Sequence, residues 1–238
     1  MKKDCKECGI EIDLTGLEDF AALLKYCDAC GEKVNQEIDE KQRTEREDAA
    51  REHRVSKTTR EWEKTVPLLY RKTDVNHANY PKGLHTLALS WVSGNLEDEK
   101  KLPWLGIVGV SGKGKTRVMS QIVRNRIWNA CKCEWVNATQ FQWCAQNQHD
   151  KNDGRKAKAH IEKFRKCDFL AFDDLGKQKW TNTVESYFWD LIEERYANCR
   201  PMIWTSNSSL EKLEAMLTED RAKAIIGRLA ENSNIVEL

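Results

Sequence analysis

GVSGKGKT, residues 109–116, decides how the rest of the chain is read. A glycine, four residues and then Gly-Lys-Thr form a phosphate-loop pattern. Gly109, Gly112 and Gly114 let the backbone bend so that its N–H groups turn toward phosphate oxygens, and the helix that follows adds its positive end. In this reading Ser111, Gly112, Lys113 and Gly114 wrap the phosphates. Lys115 reaches the β- and γ-phosphates, and Thr116 offers its hydroxyl to Mg²⁺. The stretch stands where such a loop must stand. WLGIVGV (104–110) reads as an apolar strand before it, and KTRVMSQIVRNRIWNAC follows with helical spacing.

Further strands and helices alternate downstream. CEWVNA (133–138) is a short strand followed by a Gln-rich helix, and KCDFLAFDD (166–174) is a strand that ends in two carboxylates. NTVESYFWDLIEERYANC (182–199) is an amphipathic helix, and PMIWTSN (201–207) is another strand. Ser208 and Glu211 suggest a capping box for the next helix. A helix through Arg221 to Glu231 leads into NIVEL. This alternation predicts an α/β fold, a mostly parallel sheet with helices on both faces. In such a sheet ligands bind at the carboxyl ends of the strands. Asp173 is therefore placed to hold Mg²⁺ through water, and Asp174 to polarise an attacking water. Asn207, on a strand expected beside that of Asp173, is placed to position the water or touch the γ-phosphate.

Composition narrows the class. With 39 Lys+Arg against 38 Asp+Glu the net charge is +1, so bulk charge gives no argument for nucleic acid. The N-terminal residues hold no apolar stretch long enough for a signal peptide, and LPWLGIVGV is too short to cross a bilayer. A cytoplasmic protein with reduced cysteines and no membrane partner is expected. A GTPase would need an Asn-Lys-x-Asp base-reading motif, and a small-molecule kinase an arginine-bearing lid after the loop. Neither pattern is in the sequence, which argues against both classes.

GVSGKGKT, FLAFDDLG (169–176), the helix ending in ERY (194–196) and MIWTSN (202–207), in that order, resemble the DnaC/DnaI helicase-loader ATPases and the related IstB transposition ATPases. These are AAA+ proteins of the P-loop class. The resemblance covers about Val66 to Leu238, and VPLLYRKTDVNHANYP (66–81) looks like that family's approach to its ATPase core. It implies Walker A roles for Lys115 and Thr116, Walker B roles for Asp173 and Asp174, and a sensor role for Asn207. It also implies an arginine that reaches a neighbouring subunit's nucleotide, with Arg228 in IIGRLAENSNIVEL the candidate and Arg221 the runner-up. Ten residues follow Arg228, so no helical lid is expected after it. The partners implied are a replicative DNA helicase, single-stranded DNA and, when ATP is bound, further copies of this chain. An IstB-like role, remodelling target DNA and recruiting a transposase, is the alternative.

The expected domains are a cysteine-rich module (1–34), a charged helical linker (35–65) and the ATPase core (66–238). Cys5-Lys-Glu-Cys8 and Cys27-Asp-Ala-Cys30 are two CxxC pairs, and four thiolates with no open position suit structural Zn²⁺. Gly9 and Gly31 follow the pairs and suit knuckle turns. The linker has no Gly or Pro and offers Glu47 to Arg51 as a four-residue helix pair. Cys131, Cys133, Cys144, Cys167 and Cys199 read as buried or partly buried small residues. The basic cluster from Arg155 to Lys166 either tracks a single-stranded backbone or is a solvated helix face.

Overall fold

A computed structural model describes residues 2–13, 15, 25–94 and 104–238. Leu102 and Pro103 of the apolar run lie outside the described residues, as do parts of the cysteine-rich region. The chain forms two compact units, Met1–Lys57 and Thr58–Leu238.

In the smaller unit, β1 (Lys2–Asp4) and β2 (Glu11–Asp13) pair antiparallel, with Lys3 opposite Ile12. Helix α1 (Asp28–Thr65) begins at the second cysteine pair. Along residues 35–57 it is almost wholly exposed, as its charged sequence requires. The ion pair that Glu47 makes there is with Arg43 one turn earlier, at 3.4 Å, rather than the expected one with Arg51. Gly9 has φ +73°, a left-handed turn that favours glycine. Gly31, by contrast, lies within the first turn of α1 and is an ordinary helical residue, not a knuckle turn.

The larger unit continues with α2 (Leu68–Arg71), α3 (Lys82–Gly94), β3 (Trp104–Val108), α4 (Lys115–Trp128), β4 (Cys133–Asn137), α5 (Ala138–Gln146) and α6 (Gly154–Lys166). Then come β5 (Phe169–Leu175), α7 (Asn182–Ala197), β6 (Met202–Ser206), α8 (Leu210–Glu214), α9 (Glu219–Asn232) and β7 (Ser233–Glu237). The five strands β3 to β7 form one sheet in the order β4-β5-β6-β3-β7, and every pairing is parallel. This is the predicted α/β architecture.

Side chains alternate across the sheet, as a period of two demands. Trp104, Val108, Leu170, Phe172, Met202 and Trp204 face one core with α5, α6, α7 and α9. Leu105, Ile107, Phe169, Ala171 and Ile203 face the other with α3 and α4, joined by Trp62 and Val66. Helices thus cover both faces. The Trp204 ring lies across Gly106, where a Cβ would come within 2.4 Å of it, and its Nε1 donates to Ser233 Oγ at 2.9 Å. An indole therefore fills the space left by a missing side chain on β3.

Arg195 is wholly buried and forms no ion pair with a carboxylate among the described residues. Its guanidinium instead donates to the carbonyls of Phe164, Cys167 and Pro201. It thereby satisfies the last carbonyls of α6, which have no partner within their own helix, and ties α7 to the start of β6. On α6, Ala157, Ile161 and Phe164 are buried while Arg155, Lys158 and Lys166 are exposed. The basic cluster is thus one face of an amphipathic helix. Two local expectations change. Cys199 is exposed, because the chain turns there, at φ +50°, after α7. The cap of α8 is Ser209, which accepts from Lys212 N at 3.4 Å, because the helix starts one residue later than the capping box implied.

Candidate functional site

The parallel arrangement brings the carboxyl ends of β3, β5 and β6 to one edge, and the phosphate loop leaves β3 there. Gly114 is the N-cap of α4 with φ +81°, and no side chain caps the helix. Its first N–H groups are left for an anion. Lys115 is 5% exposed. Its ammonium gives one hydrogen bond each to Gly109 O (2.7 Å), Val110 O (2.9 Å) and Asn207 Oδ1 (2.8 Å). Burial lowers the affinity of Lys115 for its proton, and the Asp174 and Asp173 charges oppose that effect. The loop is thus held in a phosphate-ready curve by its own lysine, and Asn207 is in contact with it.

Asp173 and Thr116 meet directly, Thr116 Oγ1 donating to Asp173 Oδ1 at 3.0 Å. The same oxygen accepts from Thr205 Oγ1 at 2.6 Å. Burial raises the pKa of Asp173, and the Thr205 hydrogen bond works against that. A hydroxyl and a carboxylate on adjacent elements offer the hard oxygen ligands that Mg²⁺ takes, usually alongside water and nucleotide phosphate. Asp174 turns to the open side, where Lys177 Nζ lies 2.7 Å from its Oδ2.

These groups border a cleft of ≈ 490 Å³ lined by Ser111, Gly112, Gly114, Lys115, Thr116, Asp174 and Asn207 among others. Gly109, Lys113 and Asp173 stand outside its lining, Asp173 buried behind Thr116. Gly109 contributes its carbonyl to Lys115, and Lys113 is exposed. The lining also contains residues that motif reading missed. Tyr70, His77, Tyr80 and Pro81 reach it from the stretch that precedes the first strand of the sheet. Tyr70 stacks on Trp135, with ring centroids 5.9 Å apart. Pro81 packs so closely that a Cβ at Gly114 would fall 2.9 Å from its Cδ. The Tyr80 hydroxyl is buried without a hydrogen-bond partner among the described residues, and burial pushes its pKa up to about 12. The signal for these residues lay in the aromatic and proline content of residues 66–81, which carries no fixed motif spacing.

Arg228 is not among the residues bordering the cleft. It sits on α9, paired with Glu193 and Glu231 and stacked 4.5 Å over the Tyr196 ring. Arg221 donates to Asn182 O at the start of α7.

In the smaller unit the sulfurs of Cys5, Cys8, Cys27 and Cys30 all lie within 4.8 Å of one another, with Cys8 and Cys27 3.7 Å apart. A tetrahedral Zn²⁺ with bonds of ~2.3 Å sets its sulfurs ~3.8 Å apart, so the donor set fits that ion. The backbone N–H of Cys27 donates to Cys5 Sγ at 3.3 Å. The Cys8 backbone N–H, joined by that of Cys27, lowers the pKa of the Cys5 thiol to about 6, whereas the sulfurs of Cys27 and Cys8 push Cys30 up to about 12. Four thiols this close cannot all ionise unless a cation joins them.

Residues 36–238 match the family described as IstB-like ATP binding protein. The chain belongs to that family. With its phosphate loop and acid pair on one sheet edge, this IstB-like chain is a P-loop ATPase of the AAA+ type. No curated protein matches the sequence significantly. Among solved structures it resembles the DnaC helicase loader (15% identity, TM-score 0.55, covering 75% of this chain and 98% of that one). It also resembles DnaI (22%, 0.51, 71% and 86%). A third is a primosome component from Streptococcus pyogenes serotype M3 (20%, 0.56, 73% and 89%). A chain described as a DNA replication initiation factor matches at 14% and 0.57, and this chain spans half of its length. At these identities the likeness is one of fold. No described helix is long and apolar enough to cross a membrane.

Lys115→Ala should weaken ATP binding by roughly 10–100-fold, because hydrogen bonds to a charged group contribute about 1.5–3 kcal/mol. Asp174→Asn should bind ATP nearly normally but hydrolyse it about a hundredfold more slowly or worse. Equal loss of affinity in both, measured by titration calorimetry, would contradict these roles. The cysteine cluster should hold one Zn²⁺ per chain. Serine at any one of its positions should release the metal and unfold the smaller unit, leaving nucleotide binding in place. Elemental analysis of protein purified without chelator checks this, and a zinc-free, folded N-terminal unit would refute it.

Proposed function

We propose that this chain is an ATP-driven loader that grips a replicative DNA helicase and helps place it on single-stranded DNA. The observation that carries the reading is the joining of Lys115, Thr116, Asp174 and Asn207 at one cleft, with Asp173 buried directly behind Thr116, in a chain whose fold resembles the DnaC helicase loader over most of that protein's length. In this proposal the phosphate loop and Lys115 hold the triphosphate, and Thr116 and Asp173 hold Mg²⁺. Bound Mg²⁺ supplies charge neutralisation on the phosphates. Asp174, freed from Lys177, orients the water, and Asn207 senses the γ-phosphate. The exposed basic face of α6 is the candidate track for a single-stranded backbone. The zinc-binding cluster and α1 are the candidate partner-binding region.

The family match favours a second reading, an IstB-like accessory ATPase that remodels target DNA for a transposase. Both readings expect subunits in contact, with Arg228 leaving Glu193 to reach a neighbour's nucleotide. Mixing Lys115→Ala chains with Arg228→Ala chains should then restore part of the activity that each lacks alone. A mixture as inactive as its parts, while both variants assemble, would remove Arg228 from that role. Affinity capture with the Asp174→Asn form in ATP separates the two readings. A replicative helicase in the eluate supports the loader, and a transposase supports the alternative. Neither, with ATP bound, would count against both.

A further inference from the structure

Asp173 and Asp174 are consecutive residues on one strand, so a regular pleat would point them to opposite faces of the sheet. Yet one meets Thr116 and the other borders the same cleft. The register between β5 and β6 explains this. Phe172 pairs with Trp204 and Leu175 pairs with Ser206. Between these pairs β5 has two residues, Asp173 and Asp174, where β6 has only Thr205. This is a bulge, which bends the strand and re-aims a side chain. Asp174 carries the turn at φ +60°, in a left-handed region that Asp tolerates better than most residues.

A bulge leaves its extra residue without a ladder partner. Here the Asp174 N–H donates instead to Thr205 Oγ1, at 3.0 Å. An N–H can only donate, so the Thr205 oxygen is the acceptor and its own single proton must go elsewhere. It goes to Asp173 Oδ1, 2.6 Å away. Thr205 is fully buried, so no water competes for either bond. One hydroxyl thus fixes both members of the acid pair, one through its carboxylate and the other through its backbone.

We propose that Thr205 is a positioning residue for ATP hydrolysis, clamping the β5 bulge so that Asp173 faces the metal position while Asp174 faces the water. This rests on the hydrolytic roles proposed above for the two aspartates. Valine has nearly the same shape as threonine and lacks the hydroxyl. Thr205→Val should therefore bind ATP within a few-fold of wild type but turn it over ~10–100-fold more slowly, the range for loss of a group that orients metal ligands. The Mg²⁺ concentration needed for half-maximal rate should rise several-fold, and Thr205→Ser should restore both values. A residue that served only packing would be rescued poorly by serine and would leave the Mg²⁺ dependence unmoved. Mn²⁺ binding to the protein with ADP, followed by electron paramagnetic resonance, gives a readout independent of turnover. It should weaken in Thr205→Val and recover in Thr205→Ser. Wild-type Mn²⁺ affinity in a folded Thr205→Val protein would overturn the proposal even if the parent chain proved a poor ATPase. An inactive parent with the expected Mn²⁺ pattern would instead count against the hydrolytic reading. Should Thr205→Val fail to fold, Thr205→Cys keeps the volume with a much weaker donor. The same loss is expected there, and wild-type Mn²⁺ affinity would likewise overturn the clamp.

Discussion

The carboxylate of Asp173 receives two hydroxyls, Thr116 from α4 and Thr205 from β6, at 3.0 and 2.6 Å. Through this one group the phosphate-loop helix, the acid strand and the strand between them become a connected unit. The arrangement depends on the strand order. Because β6 lies between β3 and β5, the loop and the acid pair stand one strand apart, and the residues ending β6 fill the gap. Asn207 reaches Lys115 from the same strand end. Carrying a buried carboxylate is costly unless its lone pairs are used, and here the donors that use them are the groups that build the site.

Much of the fold was legible because the signals were local. The phosphate loop, the apolar run of β5 and its terminal acids, and the apolar run of β6 each carry their structure in a few adjacent residues. The cysteine pairs did so in part, since each CxxC spacing brings its own two sulfurs together, while the meeting of the two pairs is a contact between distant segments. What the sequence hid depends on contacts between distant segments. Nothing local in MIWTSN distinguishes Thr205 as the residue opposite a bulge, because a bulge is a property of two strands in register. Tyr70 and Tyr80 reach the cleft by packing of residues 66–81 across the loop. Ser209 displaced Ser208 as a cap because the two serines are adjacent and only the real helix start chooses between them. Cys199 looked apolar by type, but the turn after α7 left it in solvent.

Arg195 shows how a charged residue can serve a structural end. The ERY triplet marks the family resemblance, and the structure gives its arginine a reason that needs no ligand. Three backbone carbonyls from α6, its exit and the entry to β6 converge on one guanidinium. The fork geometry of arginine suits this, with two of its nitrogens serving the three acceptors. The amphipathic α6 is thereby fixed against the sheet with its basic residues turned outward.

The central place of β3 has a consequence for how the chain reaches this structure. Its two neighbours are β6 and β7, which lie about 100 and about 130 residues further along, and such long-range pairings are slow to close. Gly109 N is held by Ser206 O, and Val108 O accepts from Leu238 N, so even the mouth of the phosphate loop is framed by late segments. During vectorial synthesis the loop sequence emerges well before the walls that shape it. A nascent chain therefore carries the signature of a nucleotide site well before it can possess one, and the arrival of β6 and β7, rather than translation of the motif, sets the moment at which ATP can begin to stabilise the fold.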